Sequence, residues 1–174
     1  LGRLKALNMI PLAIVCTHGH LDHTPAIPDI VDYYYNAEHT VPIAIHEEDA
    51  SYLGKKARET HMNTFQAIGA MGYFEEFYSP MPEPDIILHH GNTICDTDFT
   101  VIHTPGHTRG SICLYSKSSG ALLSGDTLFF EGVGRTDLPE SDPKALNNSI
   151  TEHLLHLPPE TRVFPGHGPL STLE

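Results

Sequence analysis

Apolar positions fall in short runs punctuated by glycine, proline and polar clusters, and their spacing switches between a helical and a strand-like period. Leu1, Leu4 and Leu7 keep helical spacing over Leu1 to Asn8, and Asn8 with Pro11 supplies a stop before Leu12 to Cys16, which reads as a buried strand. After a polar turn over Thr17 to Thr24, Pro25 opens a helix with the face Ile27, Ile30, Val31 and Tyr34, ending near Asn36. Val41 to Ile45 is a second strand. Glu47 to Leu53 reads as a short helix, and Thr60 to Phe74 as a longer one carrying Met62, Phe65, Ile68 and Met71 at intervals of three. The prolines within Ser79 to Pro84 enforce an extended loop.

Beyond that loop the pattern shortens to the strands Ile86 to Leu88, Phe99 to His103, Ser111 to Tyr115 and Ala121 to Ser124. Asp142 and Pro143 then form an N-cap and first-turn proline. The helix they open carries Leu146, Ile150, Leu154 and Leu157 as far as the Pro158-Pro159 stop. A last strand, Arg162 to Phe164, leads into Pro165-Gly166-His167. Mixed helices and strands without repeats predict one α/β domain over residues 1–174, a sandwich with its active edge at the strand ends.

Charge narrows the partner. A formal net charge of -12 with no Lys/Arg cluster repels a phosphate backbone, which excludes nucleic acid and points to a small molecule. No apolar stretch approaches the length of a membrane span, and Leu1 to Leu7 resembles no targeting peptide. Cys16, Cys95 and Cys113 share no short spacing and lie in apolar runs. Buried, reduced thiols and a cytoplasmic location are the expectation.

The 13 histidines outnumber the ten Lys and Arg together, and their placement carries the chemistry. Thr17-His18-Gly19-His20-Leu21-Asp22-His23 packs three imidazoles and a carboxylate directly after a buried strand. Such donors suit Zn²⁺, and also Fe or Mn, while Gly19 lets the backbone turn tightly between neighbouring ligands. Three further loops repeat the arrangement of strand, glycine and donor: Thr104-Pro105-Gly106-His107, Ser124-Gly125-Asp126 and Phe164-Pro165-Gly166-His167.

These motifs, in this order and across nearly the whole chain, resemble the metallo-β-lactamase superfamily, whose fold is a four-layer αβ/βα sandwich. The resemblance implies two divalent metal ions, zinc before iron or manganese. His18, His20 and His107 would hold one, Asp22, His23 and His167 the other, and Asp126 with a hydroxide would bridge them. It further implies that Asp22 orients that hydroxide and takes its proton. His23, and Asp126 in place of a cysteine, set the chain apart from the true lactamases. Gly132-Val133-Gly134-Arg135-Thr136-Asp137 with Gly166-His167-Gly168-Pro169 is similar to the small glyoxalase II-like hydrolases. The implied reaction is thioester hydrolysis, with S-lactoylglutathione the family's representative substrate. Another thioester or small ester would leave the same metal motifs.

Family members begin with strands ahead of the His-rich loop, so further residues before Leu1 are expected to complete the first sheet. Two rival readings remain: a persulfide dioxygenase holding one iron on His18, His107 and Asp126, and a non-catalytic metal-stabilised module. Arg135 is either a contact for a substrate carboxylate or an ion-pair partner of Asp137. His103, four residues before His107 on a strand, is expected away from the metals, and His46, His61, His89, His90, His153 and His156 in surface or capping roles.

Overall fold

The computed structural model describes residues 1–35 and 40–174, so the helix end expected near Asn36 lies outside the described residues. A short helix α1 (Gly2–Ala6) precedes β1 (Ile14–Val15), which pairs in parallel with β2 (Ile43–His46); β2 pairs in parallel with β3 (Ile86–Leu88). Parallel neighbours need long crossovers. The intervening helices supply them: α2 (Ile27–Tyr34) between β1 and β2, then α3 (Ala57–Ala67) and α4 (Met71–Phe77) between β2 and β3. All four residues of β2 are buried, because this central strand is covered on both faces.

The later strands build a second sheet from β4 (Phe99–His103), β5 (Ile112–Ser116), β6 (Ala121–Gly125), β9 (Arg162–Pro165) and β10 (Ser171–Thr172), in the order β10-β9-β6-β5-β4. Between β6 and β9 come a small hairpin, β7 (Leu128–Phe129) with β8 (Gly132–Val133), and helix α5 (Pro143–Ser149). Since β5 is antiparallel to both β4 and β6, and β6 is parallel to β9, the strands β4, β6 and β9 end at one edge.

Three apolar clusters define the layers. Ile27, Ile43, Ile45, Ala57 and Phe74 join the first sheet to α2, α3 and α4. Ala44, Leu88, Val101, Ile112 and Leu114 fill the space between the sheets, and Ile102, Cys113, Leu122, Val163 and Leu154 join the second sheet to the segment after α5. Neighbours such as Val101 and Ile102 enter different clusters because strand side chains alternate between faces. The result is a helix–sheet–sheet–helix sandwich, the four-layer arrangement that the resemblance implies.

Four local features differ from the reading of the chain. The expected Thr60 to Phe74 helix is two helices, α3 and α4, because Gly69 adopts a left-handed φ of 69°. The Gly69 amide donates to the Gln66 carbonyl and the Ala70 amide to the Phe65 carbonyl, a Schellman ending that stops α3 cleanly. Hairpin β7–β8 and strand β10, too short to show a period, were not foreseen. Cys95 is exposed in a turn with φ of 46°, unlike the buried Cys16 and Cys113, so the expectation of three buried thiols holds for two. Asp142 caps α5 as expected, its Oδ1 accepting from the amides of Lys144 at 2.8 Å and Ala145 at 3.0 Å, but the helix passes into a π turn at Ile150–Leu154. No described helix is long and apolar enough to cross a membrane.

Candidate metal centre

Strand β1 delivers His18, His20, Asp22 and His23, and the shared edge of β4, β6 and β9 delivers His107, Asp126 and His167. All seven meet. Their donor atoms form three overlapping groups, each within 4.8 Å: His18, His20 and His107; His18, His23 and Asp126; and Asp22, His23 and His167. His20 Nδ1 lies 2.9 Å from His107 Nε2, and His167 Nε2 lies 3.1 Å from both His23 Nε2 and Asp22 Oδ2. Asp126 sits between the outer groups, its Oδ1 3.4 Å from His23 Nε2 and its Oδ2 3.7 Å from His107 Nε2.

Polar atoms this crowded normally pair off, because an unpartnered buried group costs roughly 1–3 kcal/mol. Here His18 Nε2 and Asp126 Oδ1 are buried in the cluster with no hydrogen-bond partner, two of the four such side-chain atoms among the described residues. A divalent cation is the partner such a set of imidazole and carboxylate donors fits. Protonation states agree for the buried pair His18 and His20. Burial, reinforced by the surrounding histidines, pushes His18 well below its ordinary value and His20 down to about 3, keeping both neutral as ligands must be. Burial opposes charge on His23 as well, but the adjacent Asp126 and Asp22 carboxylates outweigh it and hold His23 above its ordinary value. Asp126 is held low despite its burial by the neighbouring His23, 3.4 Å away, and by the charges of His107 and His167.

Outer contacts aim the ligands. His107 Nδ1 donates to the Arg135 carbonyl at 2.9 Å, which frees Nε2 as the donor toward the centre. Thr17 Oγ1 lies 3.3 Å from His18 Nδ1 and does the same for His18. Asp49, fully buried in the 3-10 turn Glu47–Tyr52, ties two ligand loops together. It accepts from the Gly19 amide at 2.9 Å, the Gly110 amide at 2.7 Å and the Thr108 hydroxyl at 2.8 Å. Burial raises its carboxyl to about 6 although those three bonds pull it down. The motif reading missed Asp49, since nothing near it in the chain resembles a ligand loop.

Gly19 is needed for a reason other than the expected tight turn. A Cβ there would collide with the Tyr52 ring, which packs edge-on against His20 with centroids 5.7 Å apart. His61 likewise departs from its expected surface role: it is buried, with Nε2 3.1 Å from the Tyr52 carbonyl. His103 stays outside the ligand cluster, its Nε2 2.9 Å from the Arg109 carbonyl. Arg135 is an ion-pair partner of Asp137, its Nε and Nη2 donating at 2.7 and 2.8 Å.

The centre forms one wall of a cavity of about 790 Å³. His167 and Asp22 are the open side, with 56% and 45% of their side chains exposed, whereas His18, His20 and His107 are sealed from water. An arrangement with one enclosed donor set and one accessible set can hold two cations and still admit a reactant.

Comparison with known proteins agrees with this geometry. The family model of the metallo-beta-lactamase superfamily matches residues 10–167. The probable metallo-hydrolase YqgX of Bacillus subtilis is 32% identical over 166 residues, covering 95% of this chain and 72% of its own. Among solved structures, TTHA1623 in a di-iron-bound form has a TM-score of 0.79 at 36% identity, covering 99% of this chain and 77% of its own. The BLEG-1 B3 metallo-beta-lactamase has a TM-score of 0.80 at 33% identity with the same coverage.

Proposed function

The chain belongs to the metallo-beta-lactamase superfamily and is a metal-dependent hydrolase of that family, and we propose that it cleaves small thioesters as a glyoxalase II-like enzyme. The observation that carries the reading is the set of buried, unpartnered donor atoms inside a ring of seven ligands at the mouth of a cavity. His18, His20 and His107 would hold one ion, Asp22, His23 and His167 the second, with Asp126 between them. Two divalent ions held there would lower the pKa of bound water from about 15.7 toward neutrality and would polarise the substrate carbonyl.

The chain's own residues do the rest. Asp22 takes the proton of the attacking water at Oδ1, the carboxylate oxygen not engaged by His167 and His23. Its partial exposure lets that proton pass on to solvent. The thioester fits because a thiolate departs without a strong general acid, and no unpaired acid of that kind stands over the centre among the described residues. Asp49 and the Arg135 carbonyl keep the two ligand loops in register, so the carbonyl carbon meets the nucleophile at a fixed distance.

The test is hydrolysis of acyl thioesters by metal-replete protein, together with a metal count per chain. Two metals and turnover abolished by chelation support the reading; one iron and oxygen consumption with a persulfide would replace it with the oxygenase. A second reading, β-lactam hydrolysis, rests on the likeness to BLEG-1, and cleavage of a chromogenic cephalosporin faster than any thioester would favour it.

A further inference from the structure

The cavity beside the metal centre is walled by Phe65, Ile68, Tyr73, Phe129, Val133 and Leu138. Phe65 and Ile68 close α3, and Tyr73 lies on α4 just past the Gly69 break, so the break itself turns an apolar corner toward the ligands. Phe65 and Tyr73 stack at 5.5 Å, which stiffens that corner. Ile68 and Tyr73 are each 39% exposed and Val133 51%, an apolar surface left in water next to a reaction centre. A ligand that covers it would recover that cost.

Two polar side chains of the wall, Thr64 and His61, are already engaged. Thr64 Oγ1 donates to the Thr60 carbonyl and to Glu140, and His61 Nε2 is held at the Tyr52 carbonyl. Of the ten Lys and Arg, only Arg135 lines the cavity, and its Nε and Nη2 are engaged by Asp137. Burying a carboxylate without a partner is costly, and the chain's net charge of -12 adds repulsion at longer range.

We propose that the substrate carries an uncharged apolar group of several carbons beside its scissile thioester, seated against Phe65, Ile68, Tyr73 and Val133, in place of a carboxylate-bearing peptide such as glutathione. This rests on the thioester reading above. The apolar group has two sources, the acyl chain or the thiol, and the same wall serves either. The contact with the wall is hydrophobic, so each added methylene strengthens binding by about fourfold until the cavity is full.

The experiment uses metal-loaded protein and two series: N-acetylcysteamine thioesters from acetyl to octanoyl, and S-alkyl thioacetates from ethyl to octyl. The expected result is kcat/KM rising about fourfold per methylene along one series, which identifies the source, with S-lactoylglutathione at least tenfold below its best member. Ile68→Asp should lower turnover of that long-chain substrate at least tenfold more than turnover of its shortest homologue. A flat response in both series, or S-lactoylglutathione the best substrate, overturns the proposal. Calorimetric titration of metal-free protein with the thioether S-octyl-N-acetylcysteamine separates the two ideas. Binding weakened by Ile68→Asp, with no thioester turned over, removes the thioester reading and leaves the apolar site; turnover without thioether binding removes the apolar site and leaves the thioester reading.

Discussion

Among the described residues two regions are dense in histidine, and only one has the geometry of a metal site. At the ends of β2 and β4, His46 and His103 stack with centroids 3.9 Å apart and planes within 14°. Each ring has one partnered nitrogen: His46 Nδ1 accepts from the Glu48 amide and His103 Nε2 meets the Arg109 carbonyl. At the ends of β1, β4, β6 and β9, ring nitrogens instead face one another, with His18 Nε2 and Asp126 Oδ1 left without protein partners. Histidine content therefore says little. What marks a site is a shared point toward which neutral nitrogens and a carboxylate converge, at a desolvation cost that only a cation offsets.

The largest effect should come from substituting the carboxylate between the two ligand groups. Asp126→Asn is expected to lower turnover by about a thousandfold, since a neutral amide screens two adjacent cations poorly, whereas His103→Gln in the stacked cluster should keep most of the activity. Steady-state kinetics on both variants, with circular dichroism for folding, checks this; equal losses would mean the wrong histidine cluster has been identified.

Metal removal draws the same contrast in stability. At a thousandfold excess over its dissociation constant, one bound ion adds about 4 kcal/mol, and a chain of this size gains roughly 2–4 °C in Tm per kcal/mol. The chelator-induced drop in Tm should persist in His46→Gln and shrink in His167→Gln. A full drop in His167→Gln would remove that residue from the ligand set.

Asp49 tests whether the braces matter as well as the ligands. Asp49→Ala strips partners from Gly19, Thr108 and Gly110 and should weaken metal affinity by about 10- to 100-fold, read by competition with a chromogenic chelator. Lower Tm with unchanged affinity would make Asp49 a purely structural residue.

The smallest effect is in the pH dependence of the metal-free protein. Burial holds His61 and His46 neutral, each lowered to about 4 from an ordinary 6.5, with His103 adding to the effect at His46. As pH falls from 6.5 toward 4 the unfolded chain binds these protons and the folded chain does not, so the stability they contribute near neutrality is lost. Asp49, raised to about 6, works the other way over much of that window. The clean measurement is a difference: between pH 7.5 and pH 5 wild type should lose about 2 kcal/mol more than His61→Gln. Parallel Tm curves for the two proteins would show that His61 does not titrate this way.

The ligands were legible because their signals are local. His18 to His23 occupy one turn, and His107, Asp126 and His167 each follow a glycine just beyond an apolar strand, a pattern that parallel strand ends turn into one edge. Strand and helix periods likewise announced the α/β class, since alternation along β4, β5 and β6 is written residue by residue.

Contacts between distant segments were not legible. Asp49 serves loops 30 and 61 residues away, His61 is buried by the Tyr52 turn, and Gly19 answers to a ring from another element. The Gly69 break hid inside a continuous apolar stripe because one glycine is compatible with a helix until a left-handed cap is more favourable. Residue order along the chain thus sets which donors exist and which strand ends carry them. Which donors stay unpartnered, what braces them and what kind of wall faces them follow from the folded packing, because burial, desolvation and hydrogen-bond satisfaction depend on neighbours brought together across the whole chain.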